Sequence, residues 1–180
     1  MIRRGLVGLA LGVVGLVLFA GMAEAENALN IGGRKSATGL FSVVSSSPDQ
    51  GGSSDTVLLG GNVAYTTLDA RWEFAAGLTI AGFFANSGDL ALYVPSVQAR
   101  INSDPLGPEE NILVYLGGVI GAGIVRSDAF DDELAVFGPK FGAEFYFSPR
   151  TAVQIEDQVL VGDDGGVTNT LSIGFKLLFK

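Results

Sequence analysis

The sequence predicts an all-β protein: eight antiparallel strands, connected up-and-down and closed into a transmembrane barrel. Three observations predict it. Beyond residue 25, side-chain character alternates with period two, so that each segment sets bulky apolar residues on one face and small or polar ones on the other. Only 17% of the 180 residues are charged against 48% hydrophobic, and the mean hydropathy of +0.41 comes with no long apolar block after residue 25. The alternating segments are separated by clusters of Ser, Gly, Asp and Pro, the residues that form turns.

Residues 1–25 form a separate object. Arg3 and Arg4 precede an apolar run from Gly5 to Gly21, and Ala23-Glu24-Ala25 follows. That order is a signal peptide's positive region, apolar region and A-x-A cleavage site. A retained anchor helix fits less well, because the run at ~1.5 Å per residue reaches only ~26 Å. The expected mature chain is a single barrel domain, Glu26 to Lys180, exported from the cytoplasm. Cleavage removes two of the eleven basic and one of the nineteen acidic residues and leaves a net charge of −9.

The strands follow in order. The first lies within 28–44, where Leu29 and Ile31 oppose Asn30 and Arg34; Lys35 falls on the apolar side and needs a bulge or the membrane edge. In 56–67, Val57, Leu59, Val63 and Tyr65 oppose Thr56, Gly60, Asn62 and Thr66. In 71–84, Trp72, Phe74, Ala76, Leu78, Ile80 and Phe84 oppose Arg71, Glu73, Gly77 and Thr79. Segment 91–102 sets Tyr93, Pro95, Val97, Ala99 and Ile101 against Ser96, Gln98, Arg100 and Asn102. In 112–125, Ile112, Val114, Leu116, Ile120 and Ile124 oppose Tyr115, Gly117, Gly121 and Gly123. Segment 134–147 has Ala135, Phe137, Pro139, Phe141, Ala143, Phe145 and Phe147 against Leu134, Val136, Gly138, Lys140, Gly142, Glu144 and Tyr146. In 151–161, Val153, Ile155, Val159 and Val161 oppose Gln154, Glu156 and Gln158, with Asp157 the misfit on the apolar side. From Asn169 onward, Leu171, Ile173, Phe175, Leu177 and Phe179 oppose Thr170, Ser172, Gly174, Lys176 and Lys180. Turns are tight at 67–70 and 148–150; longer connections are expected at 102–110, 45–55, 85–89, 126–132 and 162–168.

Which face is wet decides the class. The apolar face carries the bulk, and the other carries Gly, Ala, Ser and Thr with a few charges, which suits the interior of a narrow eight-stranded barrel. A soluble sandwich would instead show many Lys and Glu on its wet face, and 17% charged is too few. A strand of ~11 residues, tilted ~40°, spans ~28 Å, the height of the outer-membrane apolar band. Aromatic residues fall near the strand ends: Tyr65, Trp72, Phe145, Phe147 and Phe179 at one rim, Phe84, Tyr93 and Phe137 at the other.

Ser172-Ile173-Gly174-Phe175-Lys176-Leu177-Leu178-Phe179 resembles the C-terminal assembly signal of bacterial outer-membrane proteins, with Ser172, Gly174, Leu177 and Phe179 at its defining positions. The stretch from Gly138 to Phe147, followed by Ser148-Pro149-Arg150, resembles the penultimate hairpin of the small OmpA/OmpX-like barrels. In such families the last residue is usually Phe, whereas here Lys180 follows Phe179. The resemblance covers the mature chain as architecture. It implies insertion by the outer-membrane assembly machinery and no single activity, since these barrels serve as anchors, adhesion and resistance factors, narrow channels and a few enzymes.

Composition removes much chemistry. With no Cys and no His, disulfides, thiolate metal sites, cysteine nucleophiles and Ser-His-Asp catalysis are excluded. The formal charge of −8 disfavours nucleic acid. No cofactor and no enzymatic activity are expected; the expected partners are outer-membrane lipid, lipopolysaccharide and the assembly machinery. Arg34, Glu73, Arg100, Lys140, Glu144, Glu156 and Lys176 share the interior face, and charges in a narrow lumen must pair. An ion-pair network filling the lumen is the expected result, with a polar conduction path as the alternative. Small interior positions such as Gly142 should accept Ser. Asp128, Asp131, Asp132 and Glu133 form the densest acidic cluster, expected in a loop beside Ser127, where oxygen ligands could hold a divalent cation. The run from Gly117 to Gly123 lacks the Lys-Ser/Thr of a phosphate loop and reads as barrel wall. The role expected is structural or surface interaction, with a narrow channel for small or apolar solutes, or a soluble periplasmic lipid-binding barrel, as alternatives.

Overall fold

The computed structural model describes residues 29, 31–46, 54–85, 88–127, 131–163 and 165–180. Eight strands follow one another: β1 (Lys35–Ser46), β2 (Ser54–Thr66), β3 (Trp72–Ala85), β4 (Gly88–Asn102), β5 (Ile112–Ser127), β6 (Asp131–Ser148), β7 (Thr151–Gly162) and β8 (Val167–Phe179). Each pairs antiparallel with the next, and β8 returns to β1, which closes the barrel. Closure leaves no unpaired edge, the condition for a sheet in hydrocarbon.

The period-two pattern resolves into two surfaces. On β8, Leu171, Ile173, Leu177 and Phe179 are exposed, while Thr170, Ser172, Lys176 and Leu178 are buried. On β6, Phe137, Phe141 and Phe145 point outward, and Lys140, Glu144 and Tyr146 point into the lumen. The exterior is thus covered by large apolar side chains, and the buried core is the barrel interior.

Several expectations need correction. β1 begins at Lys35, so Leu29 and Ile31 precede it. The chain turns there: the Arg34 amide donates to Ile31 O at 3.2 Å, and the Gly33 amide, at φ 70°, donates to Thr66 O at 3.1 Å. A segment that turns has no strand parity to read. Lys35 needs no bulge; it stands opposite Tyr65 and Phe179 at the strand-end rim. The connections expected at 85–89 and 126–132 are mostly strand, because Ala85 pairs with Gly88 and Arg126 with Asp131. Polar turn formers are tolerated in a ladder that has risen above its apolar band. The predicted signal peptide lies outside the described residues.

Two prolines interrupt the wall. Pairing between β4 and β5 lapses from Tyr93↔Ile124 to Ser96↔Gly121, across Pro95, and pairing between β6 and β7 lapses from Phe137↔Val161 to Lys140↔Gln158, across Pro139, with the register unchanged on either side of each gap. Proline has no N–H to give a ladder. Beside Pro139, the carbonyl of Val159 occupies the space a side chain on residue 138 would need, which only glycine leaves open.

Candidate functional site

Four strands converge on one interior cluster. Glu73 enters from β3, Arg100 from β4, Glu144 from β6 and Lys176 from β8, each near the end of its strand that lies level with the start of β1 and the end of β8. The Arg100 guanidinium lies 2.5 Å from Glu144 Oε1 and 3.1 Å from Glu73 Oε2. The Lys176 ammonium is 2.6 Å from Glu73 and 2.9 Å from Glu144. Each carboxylate is therefore shared by two cations, and each cation by two carboxylates, in a closed ring whose members are 5% exposed or less. One level further into the barrel, Lys140 Nζ pairs with Glu156 Oε2 at 2.7 Å and also donates to Gln98 Oε1.

Neutral donors complete the layer. Tyr146 Oη donates to Glu144 Oε2 at 2.6 Å, Tyr115 Oη to Glu156 Oε2 at 2.8 Å, and Gln154 Nε2 to the same oxygen at 3.0 Å. Thr66 Oγ1 donates to Glu73 at 3.2 Å. The Arg100 guanidinium also lies 4.0 Å from the centre of the Tyr115 ring, which connects the ring of four to the Lys140–Glu156 pair. Burying ions is costly unless each finds opposite charge and hydrogen bonds, and here three cations meet three carboxylates with no residual charge. The space between Asn62, Gln98, Arg100, Lys140 and Gln154 is a cavity of about 10 Å³, the size of one water and too small for a hydrated ion.

Toward the termini the lumen is closed again, by apolar packing. Ile31 is 2% exposed against Leu113, Tyr146, Ala152 and Leu178, with Leu29 and Ala70 beside them. Glycine 32 abuts the Leu68 carbonyl, and the Arg34 side chain ties the segment down by donating to Pro149 O at 2.6 Å. The stretch before β1 is a stopper in the barrel's mouth.

Of the interior residues read from sequence, Glu73, Arg100, Lys140, Glu144, Glu156 and Lys176 meet in this layer. Arg34 does not. It precedes β1 and reaches the outer turn at Pro149, because the chain turns before the strand parity begins. Its departure leaves the interior charges equal in number. Gly142 is another correction: a side chain there would run into the Tyr115 ring, with its Cζ at 2.6 Å, and the Ile155 carbonyl, so it is no spare volume. Asp131, Asp132 and Glu133 lie in strand β6, not a loop. Asp128 and the side chains of Asp131 and Asp132 lie outside the described residues, among which no metal-sized group of three ligands occurs. In the assembly-signal segment, Ser172 bonds Ser42, its ladder partner on the neighbouring β1, at 2.7 Å where the barrel closes, and Leu177 and Phe179 face outward. Tyr115, Tyr146, Gln98 and Gln154 were not singled out by sequence; their position on the interior parity, beside the charges, was the available signal.

No protein-family model matches this chain, and no curated protein matches it by sequence. Its fold does match solved structures. Neisserial surface protein A is 20% identical, with a TM-score of 0.63 over 81% of this chain and 96% of that one. Ail, the attachment invasion locus protein of Yersinia pestis, solved with the heparin analogue sucrose octasulfate, is 16% identical, with a TM-score of 0.57 over 82% and 99%. The outer-membrane protein OprG of Pseudomonas aeruginosa is 13% identical, with a TM-score of 0.53 over 85% and 99%. The fold is that of the small eight-stranded outer-membrane β-barrels.

Proposed function

We propose that this chain is an integral outer-membrane barrel with a closed lumen, without enzymatic activity, serving as a structural or surface-interaction element. The observation that carries the reading is the fully buried, charge-balanced layer of Glu73, Arg100, Lys140, Glu144, Glu156 and Lys176 that crosses the interior. Ion pairs at these distances hold the wall together from inside, and the cavity beside them has a volume of about 10 Å³. The apolar stopper at Ile31 closes the same axis a second time. Exposed Val43, Val63, Phe74, Val97, Ile120, Phe137, Ile155 and Leu171, one from each of the eight strands, encircle the exterior, a surface suited to lipid and not to the aqueous periplasm of a soluble carrier. Each carboxylate of the layer is taken up by cations and neutral donors, the arrangement expected of groups that hold structure. Lipid, lipopolysaccharide and the assembly machinery are the partners this reading requires. Planar-bilayer recording of refolded protein tests it: the closed barrel gives no discrete ion steps, and steady conductance from folded wild type would replace it with the narrow-channel reading.

A further inference from the structure

Asp157 is the residue the barrel does not absorb. It lies midway along β7 on the outward face, where Thr151, Val153, Ile155, Val159 and Val161 share its side. Its ladder neighbours are Phe141 on β6 and Leu171 on β8, both exposed and apolar. The side chain is half-buried, and its Oδ1 is enclosed without any hydrogen-bond partner. Hydrocarbon offers a carboxyl no donor, so one placed between the rims lacks what water would supply. Next to it on β8, Asn169 also points outward and is exposed; it stands opposite Val159, two residues along β7 from Asp157.

We propose that the β7–β8 face is a two-fold contact with a second copy of this chain, in which Asp157 of each barrel accepts a hydrogen bond from Asn169 of the other. The occupant follows from complementarity on one face. A two-fold axis along the membrane normal, passing between β7 and β8, sets β7 of one barrel against β8 of its partner. Both copies insert in the same direction, so the bond forms twice, as an isologous interface demands, with the two side chains together spanning the two-residue offset between Asp157 and Val159, the ladder partner of Asn169. The carboxamide N–H donates and the carboxylate oxygen accepts, so no change of protonation is needed. Phe141, Ile155, Leu171 and Ile173 surround the pair with apolar area that can seal it from competing donors.

The proposal rests on the membrane reading, which heat-modifiable gel migration of each variant reports separately. Association is measured by energy transfer between donor- and acceptor-labelled full-length chains, dyed at Asp104→Cys on an exposed turn. The chains are diluted stepwise in vesicles of phosphatidylethanolamine and phosphatidylglycerol. Wild type should associate; Asp157→Leu and Asn169→Leu should each weaken association at least tenfold. The exchange Asp157→Asn with Asn169→Asp restores donor and acceptor with their places reversed and should regain most of the loss. Transfer no greater than random for wild type, a leucine variant that associates as well as wild type, or an exchange no better than the single variants would overturn the proposal. Should one leucine variant fail to fold, the other and the exchange still decide.

Discussion

Replacing Lys140 by Met removes a charge from the interior while keeping most of the aliphatic stem and its packing. The structure sets the magnitude. Lys140 and Glu156 are each 3% exposed and 2.7 Å apart, and breaking such a buried pair from one side costs about 3–5 kcal/mol. Glu156 Oε2 keeps two donors, Tyr115 Oη and Gln154 Nε2, so the stranded carboxylate is partly held and the loss should fall near the low end, about 3 kcal/mol. Replacing Glu156 by Met as well removes the stranded charge and should return most of that loss, for a coupling of about 2 kcal/mol. The same cycle with Glu144, whose cations are Arg100 and Lys176, should couple by less than about 0.5 kcal/mol. Urea unfolding in lipid vesicles reads all six proteins. A Lys140→Met loss below about 0.5 kcal/mol, or equal coupling to both glutamates, would refute the paired lumen and indicate a hydrated one.

Three further outcomes are expected. Phe141 is exposed and six residues from Phe147, roughly 15 Å up the wall, so Phe141→Arg should cost about 2–4 kcal/mol in bilayer unfolding; a cost near zero would mean the faces are inverted. Gly142→Ser should also destabilise, by about 1–3 kcal/mol, because Tyr115 must leave its place over the glycine; a neutral result in the same assay would contradict that packing. Ile31→Asp should expel the stopper while the barrel stays heat-modifiable, seen as trypsin cleavage after Arg34 at least tenfold faster; unchanged cleavage would show that the segment does not depend on Ile31.

The strands were legible because their parity is locally written. Phe137, Phe141 and Phe145 against Lys140 and Glu144 name both faces of β6 without any tertiary information. Residues that share the interior parity can be collected from sequence, but their pairing cannot. Lys140 lies four residues from Glu144 on one strand, yet its partner is Glu156 on the next, because the stagger between strands decides which side chains share a level. The stopper was illegible for a related reason. Ile31 looks like an outward strand residue until the turn at Gly33 folds it back into the mouth. Gly142 was misread because smallness was taken as room, whereas a tyrosine from β5 already lies over it.

The central claim is that the apolar wall meets lipid, and the chain carries its own reporter. Trp72 is its single tryptophan, exposed on the outward face at the first residue of β3, opposite Ile101. Fluorescence quenching in vesicles decides the matter, with lipids brominated at defined acyl positions set against aqueous iodide. Quenching by bromine placed near the interface, weaker quenching by bromine at the chain ends, and little effect of iodide is the result predicted. Strong iodide quenching with no response to brominated lipid would contradict it.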